Sequence, residues 1–165
     1  MRIHWHYICV ILSCILYCSC SSPSMRQLQE LETRVNDVPD SVLAVLTAAD
    51  MPRWGEARAL YALLTVEAQD KSYIDVADDS LIRVATRYYD RRGPALHRLQ
   101  AFYYHGRVYA NAGLRHEAMT AYTRAMDYRE TALCPRCGVD TVLGDAAGIP
   151  FYKELIEKMH RHYFG

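Results

Sequence analysis

The segment from Leu99 to Met126 constrains the fold of this chain most strongly, because its small and aromatic residues recur at helical spacing. In two antiparallel helices, Gly106 and Ala118 are small enough to let the helix axes approach closely. Between them, Gly113 supplies the left-handed turn that joins the two helices. Aromatic side chains then fill the space around the small residues. The complete pattern consists of Phe102, Gly106, Tyr109, Gly113, Ala118, Tyr122 and Ala125.

This pattern resembles the tetratricopeptide repeat (TPR), a unit of about 34 residues that folds as helix, turn and helix. The sequence departs from the repeat at His105, where a leucine or tyrosine is common, and at Glu130, where a proline often closes the unit. Across residues 28–126 the helical texture is similar to that of the TPR lipoproteins of Bacteroidetes. The resemblance implies an all-α protein whose hairpins stack into a short right-handed superhelix.

Two further helical hairpins are predicted upstream of this segment. Apolar residues at three- and four-residue spacing predict helices over residues 25–35, 41–48 and 56–68. The run Asp78-Asp79-Ser80 is typical of a helix N-cap and predicts the start of a fourth helix. We therefore expect a helical repeat domain over residues 25–128, made of about three hairpins.

The first 20 residues are expected to direct export. Arg2 precedes an apolar run from Tyr7 to Tyr17, which is too short to span a bilayer comfortably and is typical of a secretory signal. Cys20, followed by serines and a proline, resembles the lipid-modified cysteine of a bacterial lipoprotein. The sequence thus predicts a protein of the cell envelope that faces the periplasm and is attached to the membrane through a lipid. An uncleaved signal-anchor and a plain cleaved signal are the alternatives.

The charge balance argues against a nucleic-acid partner. The formal net charge is +0, and removal of the first 19 residues takes away only Arg2, which leaves about −1. Proteins that bind DNA or RNA neutralise phosphates with an excess of Lys and Arg. We therefore expect a protein or peptide partner and no nucleic acid.

A Cys-x-x-Cys motif lies in a predicted irregular loop over residues 129–150. Cys134 and Cys137, followed by Gly138, could form the knuckle that holds half of a tetrahedral zinc site. A disulfide, an idle thiol pair and a redox-active pair are the alternatives. Zinc is the one cofactor that the sequence offers, and otherwise none is expected. The histidines available to complete a zinc site are His116, His160 and His162.

The last segment, residues 151–165, predicts an amphipathic helix from Tyr152 to Phe164. It would be either the first helix of an incomplete repeat or a cap on the repeat array.

Function is predicted to be non-enzymatic, because the sequence holds no Ser-His-Asp set, phosphate-binding loop or His-Glu-x-x-His motif. The leading hypothesis is a scaffold that binds a protein or peptide at the cell envelope. The alternatives are a periplasmic, sensory fragment of a TPR-containing membrane regulator and a zinc or thiol protein. If the TPR resemblance holds, one face of the helix beginning near Leu99 contacts the partner. The predicted contact residues are Gln100, Tyr103, Arg107, Ala110 and Asn111.

Overall fold

The computed structural model of the protein describes residues 22–132 and Arg161. This part of the chain contains six α-helices and no strand, which confirms the predicted all-α class. The predicted signal, most of the Cys-x-x-Cys loop and, apart from Arg161, the C-terminal helix lie outside the described residues, as do Cys20, Cys134 and Cys137. The helices are α1 (Met25–Glu32), α2 (Pro39–Ala48), α3 (Gly55–Lys71), α4 (Ile82–Tyr89), α5 (Ala95–Asn111) and α6 (Arg115–Ala132).

The first hairpin, α1 and α2, is short and shares its core with α3. Ser24 caps α1: its hydroxyl accepts a hydrogen bond from the Gln27 N–H, and the Gln27 side chain accepts one from the Ser24 N–H. The helix ends at Glu32 and does not continue to Val35, while Pro39 suits the first position of α2 because it has no N–H to satisfy. The shared core includes Leu28, Leu31, Leu46, Leu60 and Leu64.

The larger core lies among α3, α4, α5 and α6. Both α3 and α5 are buried over most of their length, because each packs against helices before and after it in the chain. Three tyrosines, Tyr89, Tyr104 and Tyr122, are among the largest fully buried side chains. Burial raises the pKa of Tyr89 well above its ordinary value, so this phenol stays neutral. Aromatic packing of this kind stabilises the core at roughly 25 cal/mol per Å² of apolar surface buried.

The helices pack largely in chain order, with α1 and α3 in contact and α3 and α5 in contact across the hairpins. A contact between Glu32 and His97 departs from this order. The Oε1 atom of Glu32 lies 2.6 Å from Nε2 of His97, so the end of α1 touches the start of α5. In an ideal repeat array each unit contacts only its neighbours. The first hairpin is therefore not a simple stacked copy of the others.

Within the third hairpin, α5 and α6 approach closely at Gly106. A Cβ atom added at this glycine would overlap the ring of Tyr122 and would lie 2.8 Å from its Cζ atom. Ala118 and Ala125 on α6 are also buried, and their small side chains allow the same approach. The ring of Tyr122 thus fills the volume that a side chain at position 106 would need.

Candidate partner-binding site

The structure places two equivalent turns after α3 and α5. Both helices have 17 residues and start 40 positions apart. After α3, the Ile74 N–H donates to the Gln69 carbonyl (2.9 Å) and the Tyr73 N–H to that of Asp70 (3.1 Å). This pair of bonds defines a Schellman C-cap, in which the residue after the cap adopts a left-handed conformation. The same two bonds close α5, where Gly113 and Leu114 are the corresponding residues.

The residue in the left-handed position differs between these turns. Gly113 has φ 75°, which suits a glycine, whereas Tyr73 has φ 59° and is the one non-glycine residue with positive φ in the described chain. A left-handed conformation costs a side-chain-bearing residue about 1–2 kcal/mol. Burial does not offset this cost, because the Tyr73 side chain is 95% exposed. A strained and fully exposed aromatic residue is therefore displayed at the end of α3.

Tyr73 has apolar neighbours on the same edge of the molecule. Ile74 follows it and is about half exposed, and Leu114 occupies the equivalent position in the next turn and is similarly exposed. The ion pair between Arg107 and Asp70, at 2.8 Å, shows that the C-terminal ends of α5 and α3 lie side by side. Together Tyr73, Ile74 and Leu114 form what we term the apolar edge.

The segment 72–81, termed the strap, connects α3 to α4 and is fixed on α5. The Asn111 amide donates to the Val76 carbonyl at 3.1 Å. Asp79 accepts a hydrogen bond from the Tyr109 hydroxyl at 3.1 Å and lies 3.5 Å from Nε2 of His105. The position of Tyr73 and Ile74 is thus set by bonds on both sides: the cap of α3 before them and α5 beyond them.

The predicted N-cap of the fourth helix is corrected by this arrangement. The helix begins at Ile82, and its N-cap residue makes no side-chain bond. Asp78 instead accepts hydrogen bonds from the backbone and hydroxyl of Ser80, and these bonds lower its pKa. Asp79 turns toward α5. The acidic run thus stabilises the strap through Asp78, while the Asp79 carboxylate contacts α5 and also lies 3.9 Å from the Arg83 guanidinium in the first turn of α4.

Electrostatics at the strap reflect the burial of its partners on α5. Burial lowers the pKa of His105, and the contact with Asp79 offsets this only in part. Burial, followed by the hydrogen bond to Asp79, raises the pKa of Tyr109. Both side chains are therefore neutral near pH 7, and their rings stack with centroids 4.3 Å apart.

The five residues predicted to contact a partner are less exposed than that prediction requires. Tyr103 is 2% exposed and Gln100 is 8% exposed, so little of either side chain can touch a partner. The guanidinium of Arg107 is held by Asp70, and the amide of Asn111 anchors the strap. Ala110 is half-buried. These side chains are buried or paired because α5 packs between neighbouring helices, and its inner face forms part of the core.

Most residues of the repeat pattern lie at the contact between α5 and α6. Phe102, Ala118, Tyr122 and Ala125 are buried, and Tyr109 is half-buried with its hydroxyl on Asp79. Among residues 22–132 and Arg161, no three His, Cys, Asp or Glu side chains come close enough to hold a metal ion. No helix in the same part of the chain is long and apolar enough to cross a membrane.

No protein-family model, curated protein or solved structure matches the chain. The TPR resemblance therefore stays a prediction drawn from the residues of the third hairpin. The candidate site rests on the geometry of the apolar edge alone. Sequence reasoning missed it because Tyr73 stands where a helix C-cap usually has glycine, so the turn carries no glycine signal.

Proposed function

We propose that this protein is a non-enzymatic helical-repeat scaffold of the cell envelope that binds a protein or peptide through its apolar edge. The exposure of Tyr73 in a left-handed turn is the observation that carries the proposal. Glycine at this position would relieve the strain, and the tyrosine makes no stabilising contact in return. A role in contacting another molecule accounts for a residue that stability does not explain.

The chemistry of the edge favours a polypeptide partner. A tyrosine combines a large apolar ring with a hydroxyl and loses little side-chain entropy on binding, which makes it a frequent anchor of protein interfaces. Because the strap is already bonded to α5, binding does not have to order it first. Asp75 and Asp78 are exposed beside the apolar side chains, so basic groups on the partner would complement the edge.

The remaining sequence hypotheses concern other parts of the chain. The zinc or thiol alternative rests on Cys134 and Cys137, and the lipid anchor rests on Cys20. Labelled palmitate incorporation that disappears in Cys20→Ala tests the anchor. Metal analysis of the purified protein and of Cys134→Ser tests the zinc site.

Site-specific photo-crosslinking in intact cells tests the apolar edge. A photo-reactive phenylalanine derivative replaces Tyr73 or Leu114 in turn, and the same group at Val45, which is about half exposed on α2, is the control. We expect one covalent product from positions 73 and 114 that is missing from position 45. The crosslinked protein is then purified, and its affinity for the native chain and for Tyr73→Ala is measured by titration calorimetry.

Loss of an anchoring tyrosine is expected to weaken binding by about tenfold or more. Equal crosslinking from all three positions, or unchanged affinity in Tyr73→Ala, would show that the partner does not bind at the apolar edge.

A further inference from the structure

The end of the molecule opposite the strap is rich in arginine. Residues 50–58 and 87–98 contain six arginines against three acidic residues, whereas residues 70–80 contain four aspartates against one lysine. The first two segments lie at one end. Tyr89, at the end of α4, lies against the turn at Gly93, and the charge of Glu56, at the start of α3, adds to the burial that raises the pKa of Tyr89. The domain therefore has a basic end, whereas Lys71, Arg83, Arg107 and Arg115 accompany the aspartates at the strap end.

Four exposed residues at the basic end form what we term the basic edge: Arg53, Trp54, Arg91 and Arg92. Trp54 is 77% exposed immediately before α3. The Arg91 side chain has no ion pair in the described part of the chain, and the Arg92 guanidinium lies 5.8 Å from the ring centroid of Tyr88.

Two of the carboxylates at this end have other partners. Asp90 pairs with Arg124 and accepts a hydrogen bond from the Tyr128 hydroxyl at 3.2 Å. Glu32 is in contact with His97. The positive charge of Arg91 and Arg92 thus faces solvent at the same end of the domain as the exposed indole of Trp54.

An exposed tryptophan among arginines suits the boundary between water and lipid. Indole rings settle at headgroup level, and each basic side chain near an anionic membrane surface strengthens the attraction to it.

We propose that the basic edge docks this domain on a membrane surface that contains anionic phospholipid, with Trp54 at headgroup level and Arg91 and Arg92 on the phosphates. Docking does not depend on a lipid at Cys20 or on the partner of the apolar edge. It turns the acidic strap and the apolar edge away from the membrane, where a soluble polypeptide can reach them.

Fluorescence of Trp54 tests the docking directly. The chain has two tryptophans, so Trp5→Phe in the full-length protein leaves Trp54 as the sole indole. This protein is mixed with vesicles of phosphatidylcholine alone or with added phosphatidylglycerol, each with or without brominated phosphatidylcholine. We expect a blue shift of Trp54 emission and quenching by the brominated lipid when phosphatidylglycerol is present, and neither in its absence.

Two double variants with equal loss of charge separate docking from net charge. Arg91→Gln with Arg92→Gln should weaken the phosphatidylglycerol-dependent shift by about tenfold or more in lipid concentration. Arg83→Gln with Arg115→Gln, at the strap end, should leave it unchanged. An equal effect of both pairs would overturn the proposal, as would emission that does not respond to phosphatidylglycerol. A shift with soluble polyglutamate but not with vesicles would assign the edge to an acidic polypeptide instead.

Discussion

The second and third hairpins use the same first helix and then diverge. In each, a 17-residue helix ends in a Schellman turn, so Tyr73 and Ile74 correspond to Gly113 and Leu114. The third hairpin returns at once into an 18-residue helix, whereas the second passes through the strap into a helix of only 8 residues. The third hairpin is built for close helix packing, and the second displays the loop between its helices.

Small residues account for the difference. Gly106 lets Tyr122 lie against α5, and the position 40 residues earlier holds Val66, a buried residue with a branched side chain. The second hairpin lacks the glycine at both positions, 66 and 73, and with it the close approach and the relaxed turn. Its strap depends on contacts with the neighbouring hairpin, through Asp79.

The largest expected effect comes from making the third hairpin resemble the second. Gly106→Val places a branched side chain where the Tyr122 ring lies, so we expect a loss of about 3 kcal/mol in the free energy of unfolding. Urea unfolding followed by circular dichroism measures it. The double variant with Tyr122→Ala should recover part of the loss because it removes the overlapping ring. An unchanged urea midpoint in the single variant would mean that the helices can separate without cost.

Loss of the bonds that hold the strap on α5 is expected to lower the free energy of unfolding by a smaller amount. Asp79→Ala removes the acceptor used by Tyr109 and approached by His105, and we expect a loss of about 1–2 kcal/mol in unfolding free energy. Amide hydrogen exchange should quicken over residues 74–80 and stay unchanged in α6. Asp75→Ala, at an exposed position of the strap, is the matched control. If both variants exchange alike, the bonds to α5 do not hold the strap.

Exchange of the two turn residues tests the strain at Tyr73. In Gly113→Tyr the added Cβ atom meets no atom within 4 Å, so we expect a cost of about 1–2 kcal/mol that arises from the left-handed backbone. Tyr73→Gly should raise the free energy of unfolding by about 0.5–1 kcal/mol. The same substitution should abolish crosslinking to the partner when the photo-reactive group is at Leu114. A stability loss in Tyr73→Gly would indicate that the tyrosine stabilises the fold.

The smallest expected effect is a pH dependence of stability that arises from His105, the residue of α5 that contacts the strap at Asp79. The pKa of His105 is lower in the folded protein than in the unfolded chain, so its contribution to stability is complete above the unfolded pKa of about 6.5. It declines as the pH falls below that value, because the unfolded chain binds the proton more readily. His105→Gln should flatten the decline of the urea midpoint between pH 7 and about pH 5. A steeper decline in the variant would reverse this assignment.

The sequence predicted best those features that depend on residues close together in the chain. Helical spacing predicted an all-helical chain because buried faces repeat every three to four residues, and the described residues confirm this. Interpretation was weaker at Asp79, because a capping aspartate and one that bonds to another helix look the same in sequence.

By itself, the sequence determined the helical class and the small-residue pattern of the third hairpin, since both depend on residues close together in the chain. Only the tertiary structure decided which faces are open. Tyr103 and Tyr73 are both tyrosines near polar residues, yet one is enclosed between helices and the other stands in solvent. Exposure depends on elements distant in sequence, so no local pattern encodes it. The contact between Glu32 and His97, 65 residues apart, arises in the same way.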